Sequence, residues 1–253
     1  MLNTDFMLQV AKATIKGVPV TLEIVIVSLI LALPISFVFA LLRLYSVKGG
    51  NQFVKLYVSF IRGTPIIAQI LIVYSAFPSL LASFIGKSAF AIDPINYAYI
   101  VFTINAVASL TEVFRSALQT VDRGQYEAGT MVGMTSSQIF RRIILPQALV
   151  SALPNLTNIT LGLVKNSALA FIMSVKDITA IAKTEAAFNY SFLEAYLVLW
   201  VYYLIISYAA ELIFKSLELY FGRYRKQVKK RHYSNKEQLI SVTTDKRRSP
   251  AQG

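Results

Sequence analysis

Lys165 follows a long apolar run that also carries Asn155 and Asn158, and Asn166 adjoins it. At about 100° per residue these four, with Ser151 and Gly162, fall on one face of a helix. An ammonium flanked by carboxamides suits hydrogen bonding to a carboxylate. A second polar set, Asn105, Ser109, Glu112, Arg115, Ser116 and Gln119, also shares one helical face, within about 120°. Thr64 and Gln69 flank Pro65. They suit either a polar path or bonds to backbone that the proline leaves free. Groups for covalent or metal chemistry are scarce. The chain has no cysteine and one histidine, His232. That excludes disulfides, thiolate nucleophiles, cysteine-based metal centres and multi-histidine sites. No catalytic residue and no metal ligand is assigned.

These polar faces need helices to carry them. Of 253 residues, 55% are hydrophobic and 15% charged, where ~25% charged is usual for a globular chain. A helix needs about 20 apolar residues to cross a hydrocarbon core. Five stretches without charge come near or exceed that length: 24–42, 63–86, 94–111, 143–164 and 195–210. The fourth resumes beyond Lys165, and the fifth beyond Glu211. Alternating strands, as a membrane barrel requires, are not part of the pattern. The predicted fold is an all-α integral membrane protein with five transmembrane helices, at about 18–43, 62–86, 94–116, 146–172 and 195–215. Prolines at 34, 65, 78, 146 and 154 are compatible with such helices. The first run reads as a retained span, because no small-x-small cleavage site bounds it. Residues 1–17 read as an exposed or interfacial segment, and 223–253 as a basic, disordered tail.

Lys and Arg total 25 against 13 Asp and Glu, for a net charge of +12. With five crossings, nineteen of these bases fall on one side and five on the other. The positive-inside rule then puts the N-terminus outside and the C-terminus, with the loop at 117–145, in the cytoplasm. The cluster at 223–231 follows directly on a span, where basic residues anchor a chain near anionic headgroups. No groove-reading module accompanies it. Membrane lipid is therefore an expected partner and nucleic acid is not.

The loop between the third and fourth spans is the most informative segment. Residues 124–149 read GQYEAGTMVGMTSSQIFRRIILPQAL. Residues 125–132 are compatible with a helix, and Gly133 suits a left-handed turn. Thr135 can cap a second helix, with Gln138 placed for a reciprocal capping-box bond. Pro146 then limits that helix or kinks its passage into the membrane.

The spacing Glu127-Ala128-Gly129, three residues, Gly133, nine residues, Ile143-Ile144-Leu145-Pro146 resembles the signature loop of ABC-importer permeases. That pattern normally has alanine where Gly129 stands. Arg62-Gly63-Thr64-Pro65, Glu112-Val113-Phe114-Arg115 and Leu163-Val164-Lys165-Asn166-Ser167 are similar to the polar amino-acid branch, of histidine, glutamine and cystine type. The resemblance covers roughly 17–222. It implies the type I importer fold with five spans, in the cytoplasmic membrane. It also implies two ATPase subunits, a second permease subunit (identical or related), an extracytoplasmic binding protein and an amino-acid substrate. No phosphate-binding Gly-x-x-x-x-Gly-Lys-Ser/Thr loop is present. ATP and Mg2+ are thus expected on the partner ATPase, and no cofactor on this chain. Glu127, Ala128, Gly129, Gly133, Arg141, Ile143, Leu145 and Pro146 would couple the spans to that ATPase. Thr64, Gln69, Asn105, Ser109, Glu112, Asn155, Asn158, Lys165 and Asn166 are the candidate substrate pathway.

Polar faces inside a membrane must meet each other, a partner or water. The asparagines fit a pathway or helix–helix hydrogen bonds, and both readings stand at this point. Lys165 is the strongest single pathway candidate. The fourth span has no carboxylate and the third only Glu112, which favours a neutral or mixed-charge cargo over a cationic one. Two other classes compete. An ion-driven carrier would show internal repeats, and none is found. An intramembrane enzyme would need a nucleophile–base pair that this composition does not supply.

Overall fold

The computed structural model describes residues 2–248, with side chains to 221 apart from 85, 88 and 89. The described residues are all helical or irregular. Helices α1 (Thr4–Thr14), α2 (Val18–Leu44), α3 (Gly50–Gly63), α4 (Ile66–Ile85) and α5 (Pro94–Gln119) make the first half. Then come α6 (Arg123–Met131), α7 (Ser136–Ile139), α8 (Leu145–Asn166), α9 (Ile178–Asn189) and α10 (Phe192–Arg248). Five helical stretches are long and apolar enough to span a membrane: Thr4–Leu44, Ile66–Phe84, Pro94–Gln119, Ser136–Met173 and Phe192–Phe221.

The bundle is built around α2 and α5. The buried face of α2 includes Thr21, Ser28, Ala32, Ser36 and Ala40. Small residues repeat at four-residue spacing there, and they let two helices approach closely where lipid gives no hydrophobic drive. The facing helix α5 buries Ala98, Ala106 and Ala108 beside the larger Phe102 and Leu110. Helix α8 packs on the other side of α5, and α10 lies against α8. Large apolar side chains such as Ile30, Ile72, Phe84 and Trp200 point outward. That inversion is what a lipid-facing surface requires.

Three details differ from the sequence reading. The expected second crossing is interrupted: α3 ends at Gly63, and α4 starts afresh after Pro65. Helix α3 packs Val54, Val58 and Ile61 against the bundle while Phe53, Leu56 and Phe60 stay bare. Of its two readings, limiting a helix or kinking the passage into the membrane, Pro146 departs from the first: it does not end a helix. It sits in the first turn of α8, and a π-helical turn at Phe140–Ile144 leads into it. Residues 223–248, expected without structure, continue α10 as helix. No glycine or proline lies between Gly222 and Pro250 to break it. The final residues, 249–253, lie outside the described residues.

Residues 4–17, which the sequence marks as an exposed or interfacial segment, are helical: α1 runs on into one tighter turn at Ile15–Gly17. Helix α1 is capped by Asn3, whose Oδ1 accepts from the Phe6 amide at 3.1 Å. It buries Phe6 and Val10 against α9 and α10. The Tyr202 hydroxyl donates to the Ala11 carbonyl at 2.8 Å. Where α1 meets α2, Gly17 is pressed onto the 177–178 backbone; a Cβ there would lie 2.6 Å from the Ile178 nitrogen.

Asp177 closes this junction and is fully buried. Its Oδ1 caps α9 by accepting from the Ala180 amide at 2.8 Å, while Oδ2 has no hydrogen-bond partner among the described residues. Burial pushes its carboxyl up from 3.8 to about 6. A raised acid favours the neutral form in the folded chain. Stability from this group is therefore greatest below pH 3.8 and is lost as pH rises through about 6. The loss is at most about 3 kcal/mol. Asparagine caps a helix as well as aspartate does. Asp177→Asn should therefore melt above the wild type, by about twice as much at pH 8 as at pH 5. Parallel melting profiles across that range would contradict the buried charge.

Candidate functional site

The loop expected to couple to an ATPase is an elbow of two helices, α6 and α7. Asp122 starts α6, its Oδ1 accepting from the Gly124 amide at 2.6 Å. The end of α6 is closed by two backbone bonds. The Gly133 amide reaches the Thr130 carbonyl at 3.0 Å, and the Met134 amide reaches the Gly129 carbonyl at 3.0 Å. This paired pattern is a Schellman stop, and it requires a left-handed residue after the helix. Gly133 supplies it with φ +80°. The expected capping box on α7 is present: the Thr135 amide donates to Gln138 Oε1 at 2.9 Å, and the Gln138 amide to Thr135 Oγ1 at 3.4 Å. The hydroxyls of Tyr126 and Ser136 meet at 2.9 Å across the elbow.

Of the expected loop residues, Glu127, Ala128, Gly133, Arg141 and Pro146 are exposed. Gly129 is buried, and Ile143 and Leu145 are half-buried. The elbow tip shows bare apolar surface, with Met131 88% and Val132 76% exposed. The π turn keeps the path unbroken into α8. Pro146 has no amide to donate, so the Leu145 amide reaches back to Phe140 instead. The Gln147 amide group then donates to the Ile143 carbonyl at 3.0 Å.

Three of the expected pathway residues meet at the break between α3 and α4. Gln69 Nε2 donates to the Ile61 carbonyl at 2.8 Å, to the Thr64 carbonyl at 3.2 Å and to Thr64 Oγ1 at 2.9 Å. Its Oε1 accepts from Asn105 Nδ2 at 3.3 Å. Thr64 Oγ1 in turn donates to the Phe60 carbonyl at 3.0 Å. Thr64 and Gln69 thus repair backbone freed at Pro65, one of their two expected uses, and Asn105 holds Gln69 in place.

A second cluster ties α2 to α5. Glu112 accepts from Arg43 and from Arg115, the latter at 2.8 Å. Arg115 also donates to Gln119 at 2.9 Å. The i, i+3 pair of Glu112 and Arg115 is legible in sequence; Arg43 is not, though its place at the end of the first apolar run was the available signal. Ser109 lies half-buried between the two clusters along α5.

The α8 set is separate from both. Asn155, Asn158 and Lys165 are exposed, and Asn166 is half-buried. The described ion pairs are those of Glu112, so Lys165 lies outside any ion pair among the described residues. A Cβ on Gly162 would meet nothing within 4 Å. The face between Asn158 and Lys165 is therefore open to whatever lies beside the subunit.

The helical bundle and elbow define a membrane transport subunit, and comparison with known proteins bears this out. Residues 32–219 match the family described as the binding-protein-dependent transport system inner membrane component. The chain belongs to that family. It is a multi-pass permease of the cytoplasmic membrane, not an enzyme, and in this family a partner ATPase drives import. It is 36% identical to the L-cystine transport system permease protein TcyL of Bacillus subtilis (strain 168), over 88% of this chain and 89% of that one. It is 28% identical to the arginine transport system permease protein ArtQ of the same organism, over 86% and 97%. The fold is similar to a crystal structure of an amino acid ABC transporter with histidines. There the TM-score is 0.74 and the identity 25%, covering 86% of this chain and 98% of that one.

The repair at Pro65 can be tested by stability. Gln69→Leu strands the Thr64 carbonyl and leaves the Ile61 carbonyl only its 3.4 Å bond from Thr64 Oγ1, at about 1–3 kcal/mol. It should lower the melting temperature of the detergent-solubilised protein. Gln9→Leu, which removes a surface bond of 3.4 Å to Glu185, should not. Equal melting of the two variants would contradict the repair.

Proposed function

We propose that this chain imports a neutral or mixed-charge polar amino acid, with cystine and glutamine as the leading candidates. It does so with a second permease subunit, two ATPase subunits and an extracytoplasmic binding protein. The N-terminus faces outward, and the elbow and C-terminus face the cytoplasm, as the distribution of basic residues requires. ATP and Mg2+ sit on the ATPase subunits. This chain converts their closure into a change of access.

One observation carries this reading: a single helical path runs from Ser136 to Met173. At one end is an exposed, self-capped elbow with an apolar tip. At the other is the open polar face of Asn155, Asn158, Lys165 and Asn166. A push on the elbow therefore moves the polar face directly. Lys165 faces the substrate carboxylate, and Asn158, two turns away on the same face, offers a carboxamide to the other end. The absence of a carboxylate from α8 speaks against a cationic cargo. The likeness to TcyL, named for L-cystine transport, supports a mixed-charge one.

The test is uptake in proteoliposomes holding the full complex. Accumulation of labelled amino acid should require ATP, the ATPase and the binding protein. Lys165→Met should raise the half-saturating concentration about tenfold or more. Uptake by this chain alone would overturn the assignment, and unchanged uptake by Lys165→Met would remove that residue from the pathway.

A further inference from the structure

Ile139 has no exposed surface, although it lies in a loop whose other side chains are mostly open to solvent. It belongs to neither hydrophobic cluster of the bundle. Its burial comes from the elbow itself. The cover is Gly129, the residue that departs from the alanine usual at that place in the signature loop. A Cβ on residue 129 would lie 2.7 Å from Ile139 Cγ1, 3.0 Å from Cδ1 and 3.5 Å from Cγ2. Carbon atoms do not approach to 2.7 Å without one side giving way. The missing methyl at 129 and the full side chain at 139 are therefore complementary: each occupies the space the other leaves.

The position of this contact gives it a mechanical consequence. Gly129 also accepts from the Met134 amide in the stop that ends α6. Ile139 is the last residue of α7 and adjoins the π turn that leads to α8. The two residues sit on opposite arms of the elbow, and between them the chain turns at Gly133. Without a contact across the turn, the arms would be joined only by backbone caps and by the Tyr126–Ser136 bond. An interior contact fixes the angle between them, because packed side chains resist compression and separation alike.

We propose that the Gly129–Ile139 contact is the joint that makes α6 and α7 one rigid body, so that force applied at the exposed tip reaches α8 without loss. This rests on the transport reading above. Both are positioning residues: they act through the elbow and touch neither nucleotide nor cargo. The glycine at 129 is then a matched partner of Ile139 and adds no flexibility.

The test is a double-mutant cycle in the reconstituted complex, reading uptake and ATP hydrolysis together. Gly129→Ala forces the arms apart or rotates Ile139, and Ile139→Ala empties the joint. Each single variant should transport at least about threefold less per ATP hydrolysed, a coupling within the usual range for residues in contact. Gly129→Ala with Ile139→Ala puts a methyl into the vacated space and should recover to within about twofold of wild type. A merely structural defect would lower uptake and hydrolysis together and leave their ratio unchanged, which would overturn the proposal. So would a double variant no better than the product of the singles. If Ile139→Ala is lost from the membrane, Gly129→Ala alone decides: its added Cβ meets Ile139 Cγ1 at 2.7 Å, so it must transport at least about threefold less per ATP hydrolysed. An unchanged ratio of uptake to hydrolysis in that variant overturns the joint. Failure of the wild-type complex to accumulate amino acid on ATP would sink the transport reading instead. The two failures are thus separable.

Discussion

Every interruption of a helix frees backbone groups, and in a membrane protein those groups have little water to turn to. This requirement governs the break at Pro65, and the solvent-exposed elbow closes its helix ends in the same local way. At Pro65 the freed carbonyls are met by one side chain, Gln69, braced by Asn105. At the elbow, α6 closes on itself through Gly133, and α7 opens on its own capping box. At Pro146 the backbone slips into a π turn, and the Gln147 side chain donates to the Ile143 carbonyl. A chain that must bend satisfies each bend locally. The bends are consequently fixed shapes, and a fixed shape can transmit force.

The same rule sorts the polar residues. Gln69, Thr64, Asn105, Glu112, Arg115 and Arg43 bond within the subunit and hold α2, α3, α4 and α5 together. Asn155, Asn158 and Lys165 stay exposed on α8. Internal bonds of the first kind are worth about 0.6 kcal/mol each on average, so they steady the bundle more than they define a route. The uncovered set is the one left for a ligand or a neighbouring subunit. Helix-to-helix bonding thus accounts for Asn105, while Asn155 and Asn158 keep both readings, pathway and bonding to a neighbouring helix.

Much of this was legible before any coordinates. Uncharged runs marked the five crossings, because hydrocarbon thickness sets their length. Thr135 and Gln138 announced their reciprocal cap, because capping boxes are local in sequence. Gly133 announced a left-handed turn for the same reason. What escaped depends on residues far apart in the chain. Arg43 finds Glu112 only once α2 lies on α5. Asp177 is buried where the 177–178 backbone closes on Gly17, a contact between two distant segments of the chain. The role of Gly129 is invisible without Ile139 packed over it. The break at Pro65 had a local signal, but an uncharged run from 63 to 86 masked it.

The central claim is that the elbow tip is the surface that meets the ATPase. The chain has no cysteine, so a single introduced thiol reports without interference. Val132→Cys on the exposed tip, fitted with a short photoactivatable cross-linker in the reconstituted complex, should capture the ATPase subunit. Phe84→Cys, at the far end of α4, should not. Capture from Phe84→Cys and none from Val132→Cys would contradict the account.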